Sequence, residues 1–138
     1  TLGREANMQR EYLGIEAARF GDKLQCHCEL PTTLHDCLVP TMLLQPLVEN
    51  AIKYAVAPAN GRARIWLGGR AENGRLVLYV EDDGPGIDPQ RTRKEGVGWS
   101  NTRDRLATLY GAAAEMRILR GSRGGGVLVE LDMPLERA

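Results

Sequence analysis

The sequence predicts an α/β (α+β) sandwich, a mixed or antiparallel sheet with helices packed on one face. Three observations predict it. Two stretches, 3–20 and 41–57, carry apolar residues at helical spacing, and a third begins near Ser100. Five short stretches read instead as strands. Two of these are joined through Glu72-Asn73-Gly74, and Asn-Gly is the strongest short hairpin signal.

In chain order, Met8, Tyr12, Ile15 and Arg19 recur at helical spacing, with Leu13 and Phe20 on an adjacent stripe. Gly21 is the natural stop, because glycine tolerates a left-handed cap. Residues 22–30 alternate as a strand. There Leu24, Cys26, Cys28 and Leu30 share a face, so both thiols are expected toward the core. Pro31 to Pro40 reads as a loop with one helical turn. Thr41 can cap the next helix, whose apolar face is Leu44, Leu47, Val48, Ala51, Ile52 and Ala55, with Pro58 and Gly61 ending it. Strands follow at 63–68 and 75–82. A Gly-, Pro- and Arg-rich stretch from Asp83 to Gly98 leads into a helix from Ser100 to Tyr110, stopped by Gly111. The last strands, 114–120 and 126–133, flank the turn 121–125.

The 138 residues suit one domain, and 43% hydrophobic with 26% charged residues is the balance of an ordinary globular protein. Eighteen basic and eighteen acidic side chains cancel, which argues against a nucleic-acid or anionic-membrane binder. No apolar run reaches the length of a membrane span. The chain opens mid-pattern at Thr1, so it is expected to be part of a longer protein. Three cysteines without CxxC spacing indicate a reducing compartment, and Cys26-His27-Cys28 lacks the ligand spacing of a structural metal site.

Three motifs carry chemistry. In Gln45-Pro46-Leu47-Val48-Glu49-Asn50-Ala51-Ile52-Lys53-Tyr54, the residues Asn50, Lys53 and Tyr54 lie three and four apart along one helix edge. An amide oxygen there can ligate Mg²⁺, and Lys53 offers a charge to phosphate. The same pattern also suits a merely solvated helix edge. In Val80-Glu81-Asp82-Asp83-Gly84-Pro85-Gly86-Ile87, Asp82 has the parity of Leu76, Leu78 and Val80, so its carboxylate is aimed inward. A buried carboxylate needs good donors, and an adenine amino group is one. Gly84 and Gly86 would let backbone approach a flat ring, although DGPG is also a common turn. In Gly96-Val97-Gly98-Trp99-Ser100-Asn101-Thr102, glycines precede a helix start, where unpaired amides favour anions. Ser100 or Asn101 can cap, with Asp104 completing a capping box on Asn101. The pattern is neither a Walker A loop nor a dinucleotide fingerprint.

Taken together, the motifs resemble the N, G1 and G2 boxes of the GHKL ATPase/kinase superfamily. Their wording resembles the LytS-like sensor histidine kinases within it. The strings EYLGIEAARFGDKL, VPTMLLQPLVENAIKY, VEDDGPGI, GVGWSNTRDRLATLYG and GGGVLVELDMP run through nearly the whole chain in the family's order. The resemblance implies a Bergerat-type fold holding ATP between two long helices and the sheet. It implies that Asn50 binds Mg²⁺, Lys53 a phosphate and Asp82 the adenine amino group. Gly84, Gly86 and Ile87 would line the adenine pocket. Gly96 and Gly98, with Val97 between them at the nucleotide, would hinge a lid formed by residues 88–98, which carries Arg91, Arg93 and Lys94. Tyr54, Trp99, Ser100 and Asn101 would complete the nucleotide site, and Glu49 would polarise an acceptor imidazole beside Asn50. Residues 1–20 would be the trailing end of the helical phosphoacceptor region, and 21–138 the ATP-binding catalytic domain.

The implied function is γ-phosphoryl transfer from Mg·ATP to a histidine outside this chain, on its own or a neighbouring phosphoacceptor helix, and onward to a response regulator. Neither His27 nor His35 matches an acceptor motif. The longer protein would be a homodimer, its catalytic domain cytoplasmic and its anchor, if any, in the membrane upstream. Four positions depart from the family pattern: Asp83 for an Asn, Tyr54 for a basic residue or His, Trp99 for a small aliphatic residue and Val127 for a Thr. The alternatives are a GHKL ATPase and an anti-sigma-type serine kinase. Against hydrolysis, Pro46 stands where those ATPases place a water-activating Glu.

Overall fold

The computed structural model describes residues 1–55, 63–84, 97–123 and 125–138. Helix α1 spans Leu2–Phe20, strand β1 Leu24–Glu29, α2 Gln45–Ala55, β2 Ala63–Glu72, β3 Arg75–Asp82, α3 Val97–Tyr110, β4 Glu115–Arg120 and β5 Val127–Pro134. The sheet order is β1-β2-β3-β5-β4. The β1–β2 pair is parallel, and the other three pairs are antiparallel, so the sheet is mixed as expected. Helices α1, α2 and α3 pack against β1, β2–β3 and β4 respectively.

One face of the sheet meets the helices. Leu24, Ile65, Leu67, Leu76, Leu78, Val80, Leu131 and Met133 join Leu2, Ala6, Leu13, Leu44, Leu47, Val48 and Leu106 in a single core. Each fully buried leucine contributes on the order of 1.5–3 kcal/mol. The other face carries charge. Glu130 accepts from Arg70 and Arg117, Asp132 from Arg75 and Arg117, and Glu29 from Tyr79 and Arg123. Burial, then the Glu29 carboxylate, pushes the Tyr79 phenol up to about 12, while its bond to Arg123 holds Glu29 below the usual carboxylate range. On the same face His27 stacks on Trp66 at 5.8 Å, with the Arg123 guanidinium over the indole.

Local chemistry explains the elements the sequence places well. Asn73 and Gly74 both take positive φ (49° and 74°), as a tight hairpin turn requires. Gly21, at φ 61°, ends α1. The hairpin strands run further than expected, with β2 reaching Glu72. Tyr79 lies where a Gly68 side chain would stand, so a larger residue there would displace the phenol.

Four expectations are corrected. The buried stripe of α1 is Leu2, Glu5, Ala6, Gln9 and Leu13, while Ile15 is 68% exposed. Cys26 and Cys28 alternate toward the helices as expected, but both are only half-buried beside a cavity of about 280 Å³ under α1. Helix α2 starts at Gln45 rather than at Thr41. Its start is capped from another element, because the Glu5 carboxylate accepts the backbone N–H groups of Met42 (3.2 Å) and Leu44 (3.1 Å). Finally, α3 starts at Val97, so Ser100, Asn101 and Asp104 sit inside the helix and do not form a capping box. The expected stops Pro58 and Gly61 lie outside the described residues.

The loop after β1 is held from both ends of the chain. Leu2 and Gly3 donate their amides to the carbonyls of Cys37 (2.7 Å) and His35 (3.0 Å). From the tail, Ala138 N donates to Asp36 O (2.9 Å), Leu38 N to Glu136 O (2.8 Å), and Arg137 pairs with Asp36.

Candidate functional site

The site begins at the end of β3. Asp82 is 2% exposed, as its parity with Leu76, Leu78 and Val80 predicts. Its Oδ1 accepts the Gly84 amide at 3.0 Å, which folds the chain back on the carboxylate. Gly126, at the start of β5, lies against it. A Cβ there would overlap the Asp82 carbonyl and stand 2.7 Å from Oδ1, so only glycine fits. Asp83 plays a structural part instead. It accepts the Arg64 backbone amide and Arg64 Nε (2.8 Å), closing the β2–β3 ladder.

Helix α2 packs on β2 and β3 and brings its polar edge to the same face of the sheet. Asn50 is half-buried, and among the described residues its buried Nδ2 has no hydrogen-bond partner. An orphaned amide donor costs about 1–3 kcal/mol, so this side chain is set for something other than the fold. Lys53 is exposed one turn on, and Tyr54 follows it on the helix. Glu49 is exposed, and its Oε1 accepts Gln45 Nε2 at 2.9 Å.

Helix α3 packs against α2. Val97 and Gly98 form its first turn, so these two expected lid residues belong to the helix. Trp99 is 3% exposed and part of the core, its buried Nε1 without a partner among the described residues. Ser100 is half-buried and Asn101 exposed, while the next residue, Thr102, is buried. Gly86, Ile87, Arg93 and Gly96, with Arg91 and Lys94, lie outside the described residues. Val127, the departure from a Thr, is buried in the core.

The structure thus assembles Asp82, Gly84, Asn50 and α3 on the helix-covered side of the sheet. A buried acceptor at a strand end, glycine-lined backbone beside it and an amide with a spare donor suit a flat heterocycle bearing an amino group and a polar tail. Residues 38–137 match the model of the histidine kinase-, DNA gyrase B- and HSP90-like ATPases. The chain belongs to that family. Within this ATPase family it is 34% identical over 121 residues to Sensor histidine kinase YesM of Bacillus subtilis (strain 168), covering 86% of this chain and 21% of that protein. It is 32% identical over 127 residues to Sensor protein LytS of Staphylococcus haemolyticus (strain JCSC1435), covering 84% and 22%. The chain therefore spans about a fifth of the curated relatives it matches. The fold agrees. The histidine kinase domain of the Erythrobacter litoralis EL346 blue-light activated kinase superposes with TM-score 0.62 at 25% identity, covering 91% of this chain and 60% of that one. The catalytic domain of the histidine kinase ThkA gives 0.67 at 17%, covering 96% and 89%. The chain is thus an ATPase-type domain of the kind carried by sensor histidine kinases, with the Bergerat-type α/β fold.

Sequence reasoning missed several polar side chains that the fold buries. Glu81, beside Asp82 but on the opposite face, is 2% exposed and accepts the amides of Ser122 (2.7 Å) and Arg123 (3.0 Å), fixing the β4–β5 turn. Glu5 and Gln9 are buried on α1. Strand parity turns Glu81 outward, and its burial comes from the 122–123 turn folded over it, while the two α1 residues read as a solvated helix face.

Proposed function

We propose that this chain binds Mg·ATP and transfers its γ-phosphoryl group to a histidine on a phosphoacceptor helix outside residues 1–138. The observation that carries the reading is the buried Asp82 carboxylate, backed by a glycine that nothing larger can replace. In this reading Asp82 accepts from the adenine amino group, and Gly84 and Gly86 with Ile87 line the ring. Asn50 offers its amide oxygen to Mg²⁺, a hard cation that takes oxygen ligands; the bound ion would neutralise phosphate charge. Lys53, Arg93 and the first amides of α3 at Val97 and Gly98 offer positive charge to the phosphates. Tyr54, Trp99, Ser100 and Asn101 flank them, and Gly96 joins the lid to α3.

An acceptor imidazole nitrogen attacks the γ-phosphorus, and the bond to the ADP oxygen breaks with its electron pair leaving on ADP. The proton on the other ring nitrogen is taken by Glu49, next to Asn50. Residues 1–20 read as the trailing end of the acceptor region and 21–138 as the catalytic domain. The longer protein would be a homodimer that passes the phosphoryl group to a response regulator. Pro46, in the first turn of α2, has no base to offer water, which disfavours the hydrolytic ATPase reading. Among the described residues no helix is long and apolar enough to cross a membrane.

His27 stacks on Trp66 across the sheet from α2, and His35 sits in the loop under α1. The chain alone should therefore bind Mg·ATP in calorimetry yet take up no label from γ-labelled ATP. Acid-labile label on His27 or His35, or no nucleotide binding at all, would overturn the reading.

A further inference from the structure

Helix α1 reaches the candidate base through two glutamines. Gln9 is completely buried, and its Nε2 donates to Gln45 Oε1 at 2.8 Å. Gln45 Nε2 in turn donates to Glu49 Oε1 at 2.9 Å. The bond from Gln45 to Glu49 spans one helical turn, and alone it would be worth a few tenths of a kcal/mol, too little to fix an exposed carboxylate. Gln9 changes that. It holds the far end of Gln45 inside the protein, where the side chain cannot swing freely. Gln9 also bears a cost, because among the described residues its buried Oε1 has no partner. A leucine of similar size would fill the α1–α2 contact without that penalty. One turn earlier Glu5 binds the amides of Met42 and Leu44, so α1 also fixes where α2 begins.

We infer that Gln9 and Gln45 are positioning residues for Glu49, so that the seat of α1 sets the orientation of the catalytic carboxylate. The inference rests on the kinase reading, in which Glu49 takes the imidazole proton. It gives α1 a role beyond linking acceptor and catalytic regions: a helix displaced by even part of a turn would withdraw Gln9 and release Glu49. Misplacement of a reacting group by about 1 Å costs on the order of a hundredfold in rate, so the loss of one orienting contact is expected at roughly tenfold or more.

The test uses the full-length protein, with phosphohistidine formation from labelled Mg·ATP as the readout. Gln9→Leu and Gln45→Met should each lower kcat roughly tenfold and leave the KM for ATP near its original value. The double variant should lose no more than Gln45→Met alone, because the contacts act in series. In a Glu49→Gln background Gln9→Leu should change the rate no further. In the 138-residue chain, the Glu49 carboxyl ¹³C resonance should move on Gln9→Leu, a response that mere loosening of α1 would not give. Should Gln9→Leu fail to fold, Gln45→Met, at a half-buried site, carries the same comparisons. An unmoved Glu49 resonance together with unchanged kcat would overturn the inference. If the unaltered protein made no phosphohistidine, the kinase reading would fall, and the resonance would still decide whether the two glutamines hold Glu49.

Discussion

Asp82 and Cys26 show how burial turns ordinary side chains to different ends. Asp82 is enclosed at the end of β3, with Gly84 donating to it and Gly126 against its back. Asparagine has the same shape but presents half the acceptor capacity and no charge. Asp82→Asn should weaken nucleotide binding by about 1–3 kcal/mol in calorimetry while the fold persists. Unchanged affinity would remove Asp82 from the binding site. Cys26 faces the cavity under α1, and burial pushes its thiol from 9.0 up to about 11. The raised value means that the folded state favours the neutral thiol. That contribution to stability is complete below pH 9 and disappears as pH rises toward 11. Denaturation curves should therefore show an alkaline loss in this window that Cys26→Val reduces. Alkylation of Cys26 at about pH 8 should be slow for the same reason, since the thiolate is the reactive form.

At the scale of elements, α2 depends on a carboxylate 37 residues away in sequence. Glu5 satisfies two amides before the first turn of α2, and removing it would leave the buried Leu44 amide unpaired. Glu5→Ala should cost about 2–3 kcal/mol by chemical denaturation, and Glu5→Gln, which can still accept one bond, less. A cost under about 0.5 kcal/mol would show that water replaces the cap. This dependence also explains what the sequence could and could not convey. The apolar face of α2 and the Asn73-Gly74 hairpin were legible because periodicity and turn chemistry are local. The inward aim of Asp82 followed from strand parity. The start of α2 was not legible, because its cap comes from another helix and Thr41 offered a plausible local one. The buried stripe of α1 is not legible because Glu5 and Gln9 are polar, and periodicity favours Ile15 and Met8 as core residues. The start of α3 was misplaced because Gly96-Val97-Gly98 reads as loop, and glycine is a poor helix former.

For the molecule as a whole, the two sheet faces divide the labour. The helix-covered face holds the core and the candidate site, and the other is laced with arginine–carboxylate pairs that run from β1 to β4. Such pairs are individually weak where exposed, so stability rests mainly on the core. The loop at 32–38 ties this body together, because it receives the first amides of α1 on one side and the last residues on the other. Leu2 bonds to Cys37 while Ala138 bonds to its neighbour Asp36, so beginning and end stand within the reach of a few residues. The order of the elements along the chain is then separable from their arrangement in space. Joining Ala138 to Thr1 through about four to six Gly/Ser residues, and opening new ends between Asn73 and Gly74, should give a circular permutant with the parent's circular dichroism and nucleotide affinity. A permutant that folds but no longer binds nucleotide would show that continuity of the β2–β3 hairpin, rather than its pairing alone, shapes the pocket.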